Sequence, residues 1–148
     1  MKIIILLILS LQAFALRFSV SELCTDSKYL DVHIEMDSSS TVSELTLDTF
    51  SIYGVEFLGD ERSISSIIGT PTGLDAYEVI SDTEMRIYGW CFEVDGVQPD
   101  RFMHEINIDP TIHSHINWFF GSAHYKDGAW LTYCTPSFEN KSPFICKD

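Results

Sequence analysis

The sequence has few basic residues, and this shortage excludes one large class of partners. It contains nine Lys and Arg against 22 Asp and Glu, which gives a formal net charge of −13 at pH 7. Proteins that bind nucleic acid need basic surface to neutralise phosphates. We therefore exclude a nucleic-acid partner and expect an acidic surface that favours a basic partner or a cation.

Long apolar runs are also missing, except at the start of the chain. Lys2 is followed by an apolar run over residues 3–11, and Ala13-Phe14-Ala15 has the small-x-small form of a signal-peptidase site. The run is too short for a membrane-spanning helix, which needs about 20 apolar residues. We predict a signal peptide over residues 1–15 and one secreted or periplasmic domain over residues 16–148, without membrane insertion.

Motifs of several enzyme and metal-site classes are absent as well. No G-x-S-x-G sequence exposes a nucleophilic serine. No C-x-x-C pair, typical of zinc knuckles and thioredoxin-like sites, is present. We therefore assign no catalytic residue and no cofactor, and expect a protein that is not an enzyme.

The chain has four cysteines, and their even number in an exported protein indicates two disulfides. Four cysteines allow three pairings. Cys24 and Cys146 flank the two ends of the domain, which favours the pairs Cys24–Cys146 and Cys91–Cys134. If both bridges form, no free thiol remains for cysteine catalysis.

The first half of the domain predicts one strand and one helix. KYLDVHIEM, residues 28–36, alternates apolar and polar residues, which is typical of a half-buried strand. Thr41 and Glu44 have the spacing of a capping box, which predicts a short helix over residues 42–49. A strand through Leu45 and Leu47 is the alternative.

The later segments predict short strands separated by turns. We assign strands to VEFL, SISSII, AYEVI and EMRIYGWCFEV, and two more to residues 102–108 and 113–120. Asp95-Gly96 is a hairpin signal, and Asp127-Gly128 is predicted to turn GSAHY back into AWLTYC. Many strands with one helix define a β-rich α+β fold.

Histidines cluster in the second half of the chain and allow a metal-site hypothesis. His113 and His115 are two residues apart, so on a strand both rings leave the same face. Their imidazole nitrogens could bind Zn, Cu or Ni, with Asp109 or Glu105 as oxygen ligands. The alternative is that these are ordinary surface histidines.

The segment INWFFGSAHYKDGAWLTYC, residues 116–134, is dense in aromatic residues that either fill a core or face a ligand. On strand parity Trp118 and Phe120 share a face, with Phe119 opposite. A domain of this size needs its large side chains inside, so we predict that Trp118 and Phe120 point into the core. Gly121 is then expected to let the chain bend out of the sheet.

The end of the same segment is predicted to form a binding site. The hairpin closed at Asp127-Gly128 is expected to present His124, Tyr125 and Trp130 near its tip. Exposed aromatic residues of this kind can contact a protein, stack on a glycan or hold a small flat ligand.

Three stretches, ISSIIG, YGWCFEVDG and INWFFGSAHY, resemble a pattern in an uncharacterised family of exported bacterial domains. That family is grouped with the C-terminal β-domain of the cobalamin carriers transcobalamin and intrinsic factor. The matching positions are Ile67-Ile68-Gly69, Gly89-Trp90, Val94-Asp95-Gly96 and Trp118. The resemblance implies a β-grasp-like fold, a curled sheet over a helix, and binding rather than catalysis. The resemblance assigns cobalamin binding to no residue of this chain.

The predicted function is therefore a non-enzymatic binding domain for a protein, a glycan or a small flat ligand. One alternative is a metal-binding protein that uses His113 and His115. Another is an acidic inhibitor of a basic secreted enzyme such as a lysozyme, which charge and size motivate.

Overall fold

The computed structural model describes residues 14–146, a β-rich domain with one α-helix in that range. Residues 1–13 of the predicted signal peptide lie outside the described residues, whereas Phe14 and Ala15 already belong to a strand. None of the described helices is both long and apolar enough to cross a membrane. The elements are β1 (Phe14–Ser21), β2 (Lys28–Met36), β3 (Ser40–Thr41), α1 (Val42–Tyr53), β4 (Phe57–Gly59), β5 (Ile64–Ile67), β6 (Tyr77–Ser81), β7 (Glu84–Val94), β8 (Asn107–Ile108), β9 (His115–Lys126) and β10 (Ala129–Pro136).

The main sheet is mixed, with strand order β2-β1-β9-β7-β6, and β10 pairs with the far end of β9. Its central pair, β1 and β9, is parallel, so that Phe18 lies beside Ile116 and Val20 beside Trp118. The other pairs of this sheet are antiparallel. The parallel pair joins segments far apart in sequence, and it places β9 in the middle of the sheet.

Helix α1 begins at the predicted capping box and covers part of one sheet face, here called the inner face. Thr41 Oγ1 accepts a hydrogen bond from the Glu44 nitrogen at 3.1 Å, and Glu44 Oε2 accepts one from the Thr41 nitrogen at 2.9 Å. The helix ends at Tyr53, one turn later than predicted, and Gly54 caps it with a φ of 64°, which suits a residue without a side chain. Under α1 lie apolar side chains of three central strands, among them Leu16, Phe18, Ile116 and Trp118.

The rest of the inner face is covered by the C-terminal segment, residues 137–146. Ile145 packs there against Tyr88 and Phe120. The bridge Cys24–Cys146 holds this segment in place, while Cys91–Cys134 joins β7 to β10 on the opposite, outer face. The predicted pairing of the cysteines is confirmed, and all four are bonded.

Two predicted strands differ from the structure by more than two residues. Residues 102–108 form a 3-10 turn, Met103–Glu105, followed by the two-residue β8. The turn forms because Glu105 Oε2 accepts a hydrogen bond from the backbone N–H of Phe102 at 3.0 Å. β8 pairs with β3 and not with β7. The Asp95-Gly96 turn therefore closes only a single bridge, between the residues on either side of it, and no hairpin.

The strand predicted over residues 113–120 begins later and ends later than expected. Asp95 Oδ1 accepts the backbone N–H groups of Ser114 at 3.0 Å and His115 at 2.9 Å, which fixes the start of β9 at His115. β9 then runs through Gly121 to Lys126 without the predicted bend. A side chain at Gly121 would place its Cβ 3.0 Å from the Thr135 carbonyl oxygen, so glycine permits a close approach of β10 instead.

Trp118 and Phe120 are buried as predicted, each 1% exposed. Phe119, on the outer face, is equally buried, because β10 and the Cys91–Cys134 bridge lie beside it. Strand β1 was not among the predicted strands, although its alternating Leu16, Phe18 and Val20 supply part of the core.

Candidate functional site

The outer face carries an apolar row that crosses four strands and is exposed at both of its ends. Val79 of β6 lies opposite Met85 of β7, Met85 opposite Tyr125 of β9, and Tyr125 opposite Trp130 of β10. Val79 is 76% exposed and Trp130 is 39% exposed. Residues paired in this way share one face of the sheet, so these four side chains form a continuous strip.

Three aromatic rings pack against one another at the β10 end of this strip. The rings of Tyr125 and Trp130 meet edge to face, with centroids 5.3 Å apart and planes at 67°. Tyr133 follows, 5.9 Å from Trp130, and is 66% exposed. A second row, of Tyr77 and Ile87, lies beside the first. We call the whole surface the aromatic face: Tyr77, Val79, Met85, Ile87, Tyr125, Trp130 and Tyr133.

Of the predicted binding residues, the structure brings Tyr125 and Trp130 together and separates His124 from them. Neighbouring residues of a strand point to opposite faces, so His124 lies on the inner side. Its Nε2 is 2.9 Å from Glu84 Oε1, and Lys126 Nζ is 3.1 Å from Glu84 Oε2. The hydrogen bonds from Lys126 and His124 lower the pKa of the Glu84 carboxyl. His124 thus has a partner within the domain.

The other half of the outer face is polar, and its side chains form hydrogen bonds with one another. Ser19 Oγ donates to Asn117 Oδ1 at 2.7 Å, and Lys28 Nζ donates to the same oxygen at 3.2 Å. Asn117 Nδ2 in turn donates to Glu93 Oε1 at 3.0 Å. Arg17 holds Asp31 through two hydrogen bonds of 2.8 and 2.7 Å. This half contrasts with the apolar strip on the same sheet.

His115 belongs to this polar network through its contact with Ser19. Its Nε2 is 2.8 Å from Ser19 Oγ, and the hydrogen bond from Ser19 Oγ to Asn117 suits the tautomer in which His115 Nε2 donates. Burial, together with the nearby charges of Arg17 and Lys28, lowers the pKa of His115. Ser19 is fully buried.

The predicted metal pair, His113 and His115, is divided between two local structures. His113 precedes β9, and its Nδ1 accepts the Asp109 amide at 3.0 Å, closing the loop before the strand. His115 makes the separate contact with Ser19. Within residues 14–146 no group of three or more His, Cys, Asp or Glu side chains is placed to hold a metal ion.

Sequence reasoning missed the half of the aromatic face that lies on β6 and β7. Strand parity groups Tyr77 with Val79 and Met85 with Ile87, so the signal was present in each strand separately. Which face stays uncovered depends on the positions of α1 and the C-terminal segment.

In comparisons with known proteins, no family model, no curated protein and no solved structure matches this chain.

Proposed function

We propose that this protein is a secreted or periplasmic, non-enzymatic domain that binds a protein partner through its aromatic face. The observation that carries the proposal is the strip from Val79 to Trp130, four apolar side chains in register across four strands. Exposed apolar patches of this kind mark interaction sites on soluble proteins.

The composition of the aromatic face favours a protein over a glycan. Tyr, Trp and Met are enriched at the centres of protein interfaces, and this surface contains three tyrosines, one tryptophan and one methionine. A glycan needs hydrogen-bonding groups beside a flat ring. Here Val79, Met85 and Ile87 supply none and only the tyrosine hydroxyls do, while the edge-to-face packing of Tyr125 against Trp130 leaves no shared plane.

The charges at the edge of the aromatic face favour a basic partner. Asp82 and Asp127 lie in the two turns next to the strip, β6–β7 and β9–β10, and both are exposed. Together with the net charge of −13, they would attract a positively charged surface. An apolar centre with a charged rim is the usual arrangement of an interface.

We also infer that the fold is β-grasp-like, in line with the family resemblance of the three sequence stretches. The support is the strand order β2-β1-β9-β7 with a parallel central pair and a helix after the first hairpin. A curled sheet over one helix leaves its other face free for binding. Secretion is supported by the two disulfides, which persist in oxidising compartments.

The test begins with a double variant, Trp130→Ala with Tyr133→Ala, on the aromatic face. Both side chains are exposed, so the domain should remain folded. The wild-type domain and the variant are immobilised and exposed to the extracellular fraction of the source organism. A protein retained by the wild type alone is purified, and its affinity for each is measured by calorimetry. We expect the variant to bind at least about tenfold more weakly.

A matched control removes the same kind of side chain elsewhere. Tyr29→Ala with Phe102→Ala deletes two aromatic rings of similar exposure that lie outside the aromatic face. The control should bind as the wild type does. Equal losses in both variants would contradict the proposal. If no protein is retained and a glycan array shows binding that depends on Trp130, the partner is a carbohydrate and not a protein.

A further inference from the structure

Strand β2 forms a free edge of the main sheet, at the opposite side from β6. Among the residues that the structure describes, it pairs only with β1, and the pairing is regular from Leu30 to Met36. The strand is nine residues long and contains no proline. Alternate residues of an edge strand direct their N–H and C=O groups outward, which makes the edge a template for one more strand.

A groove runs between this edge and helix α1. It has a volume of about 380 Å³. Ile34 and Met36 of β2 form one side, and Leu45 and Ile52 of α1 form the other. Ile52 is 76% exposed although it is a large apolar residue, and Tyr53 beside it is also exposed. A side chain that entered from an added strand would contact these residues.

The groove is also acidic. Glu35, Asp37 and Asp48 line it, and no described Lys or Arg forms an ion pair with any of the three. Along β2, Glu35 lies between Ile34 and Met36, so its side chain points to the opposite face of the strand from theirs. An occupant should therefore alternate apolar and basic residues.

We propose that the β2–α1 groove binds an extended segment of a basic protein, in which apolar residues alternate with Lys or Arg. The segment adds a strand to β2 through main-chain hydrogen bonds, and its apolar side chains enter the groove beside Ile34 and Met36. Its cations point to the other side of the added strand and lie beside Glu35. Backbone pairing supplies affinity, and the alternation supplies specificity. This site does not use the aromatic face and does not depend on its function.

The probe is a synthetic peptide of about the length of β2 in which lysine alternates with valine and threonine. Its control has the same lysines but proline at the central apolar positions, which removes N–H donors and prevents strand pairing. Binding is measured by fluorescence anisotropy. Amide NMR spectra of the labelled domain report where the peptide binds, and we expect shifts in β2 and α1 with the first peptide alone.

Two substitutions in the groove test its walls, each with a matched control. Ile52→Ser is compared with Ile112→Ser, where the side chain is 73% exposed in a distant loop. Asp48→Lys is compared with Asp75→Lys, another exposed position. Each groove variant should weaken peptide binding by at least about tenfold, and each control should change it less than about twofold.

Three results would overturn the proposal: no binding of the lysine–valine peptide at millimolar concentration, equal binding of the proline peptide, or equal losses in a groove variant and its control. The Trp130→Ala substitution separates this site from the aromatic face, and the peptide should bind that variant as it binds the wild type. Loss of peptide binding in Trp130→Ala would move the peptide site to the aromatic face and leave the groove empty.

Discussion

Trp118 and Trp130 lie on neighbouring strands, yet their surroundings are opposite. Trp118 is 1% exposed beneath α1, and its Nε1 donates to Thr46 Oγ1 at 3.1 Å. Trp130 is 39% exposed and rests against two tyrosine rings on the outer face. Aromatic density in a sequence therefore does not distinguish core from surface. The distinction comes from whether another element covers that side of the sheet.

The two faces of the sheet differ in the same way as the two tryptophans. The inner face is covered twice, by α1 and by the C-terminal segment that Cys24–Cys146 holds in place. The apolar half of the outer face has no such cover among the described residues. Side chains of the same chemical type should thus stabilise the fold on one face and contribute mainly to binding on the other.

The largest expected effect is that of Trp118→Ala. The substitution leaves a cavity under α1 and removes the buried partner of Thr46, so the free energy of unfolding should fall by about 3–5 kcal/mol. Urea denaturation followed by circular dichroism measures this change. A loss near that of an exposed residue would contradict the assignment of Trp118 to the core.

Removal of the Cys24–Cys146 bridge should have the next largest effect. The bridge spans 122 residues, and replacing both cysteines by serine should lower the free energy of unfolding by about 2–5 kcal/mol. Because the bridge holds Ile145 against Tyr88 and Phe120, hydrogen exchange should rise first in β7. Exchange that rises first under α1 instead would show that the C-terminal segment does not protect its half of the inner face.

The smallest effect on stability is expected for Trp130→Ala. A cross-strand aromatic pair contributes about 0.2–1 kcal/mol, so loss of the contact with Tyr125 should change the free energy of unfolding within that range. The same denaturation experiment provides the direct comparison with Trp118→Ala. Equal losses from the two substitutions would remove the difference between the covered and uncovered faces.

Local signals in the sequence predicted the elements that they govern. The segment EMRIYGWCFEV has the bounds of β7, and the Thr41–Glu44 capping box marks the start of α1. Lys28–Met36 shows the expected alternation of burial. In each case the pattern of apolar residues or a short-range hydrogen bond fixes the structure.

Features that depend on distant residues were not predictable in this way. The parallel pairing of β1 with β9 joins Val20 to Trp118, and no local pattern encodes it. In the candidate site, the turn at Asp127-Gly128 predicted that Tyr125 and Trp130 would meet, but Val79 and Met85 join them only through the register of β7 with β9. His124 lies next to Tyr125 in β9, so its side chain points to the other face of the sheet.

The position of the Cys24–Cys146 bridge has a consequence for mechanical load. Of the main-sheet strands that the structure describes, only β1 precedes Cys24, and the others lie inside the covalent loop. Tension applied between Phe14 and Cys146 therefore passes from β1 directly into the bridge and leaves the loop unloaded. β2 and β9, which flank β1, lie inside the unloaded loop, so a force between these two points is carried by the extended β1 and the bridge and does not unfold the rest of the sheet.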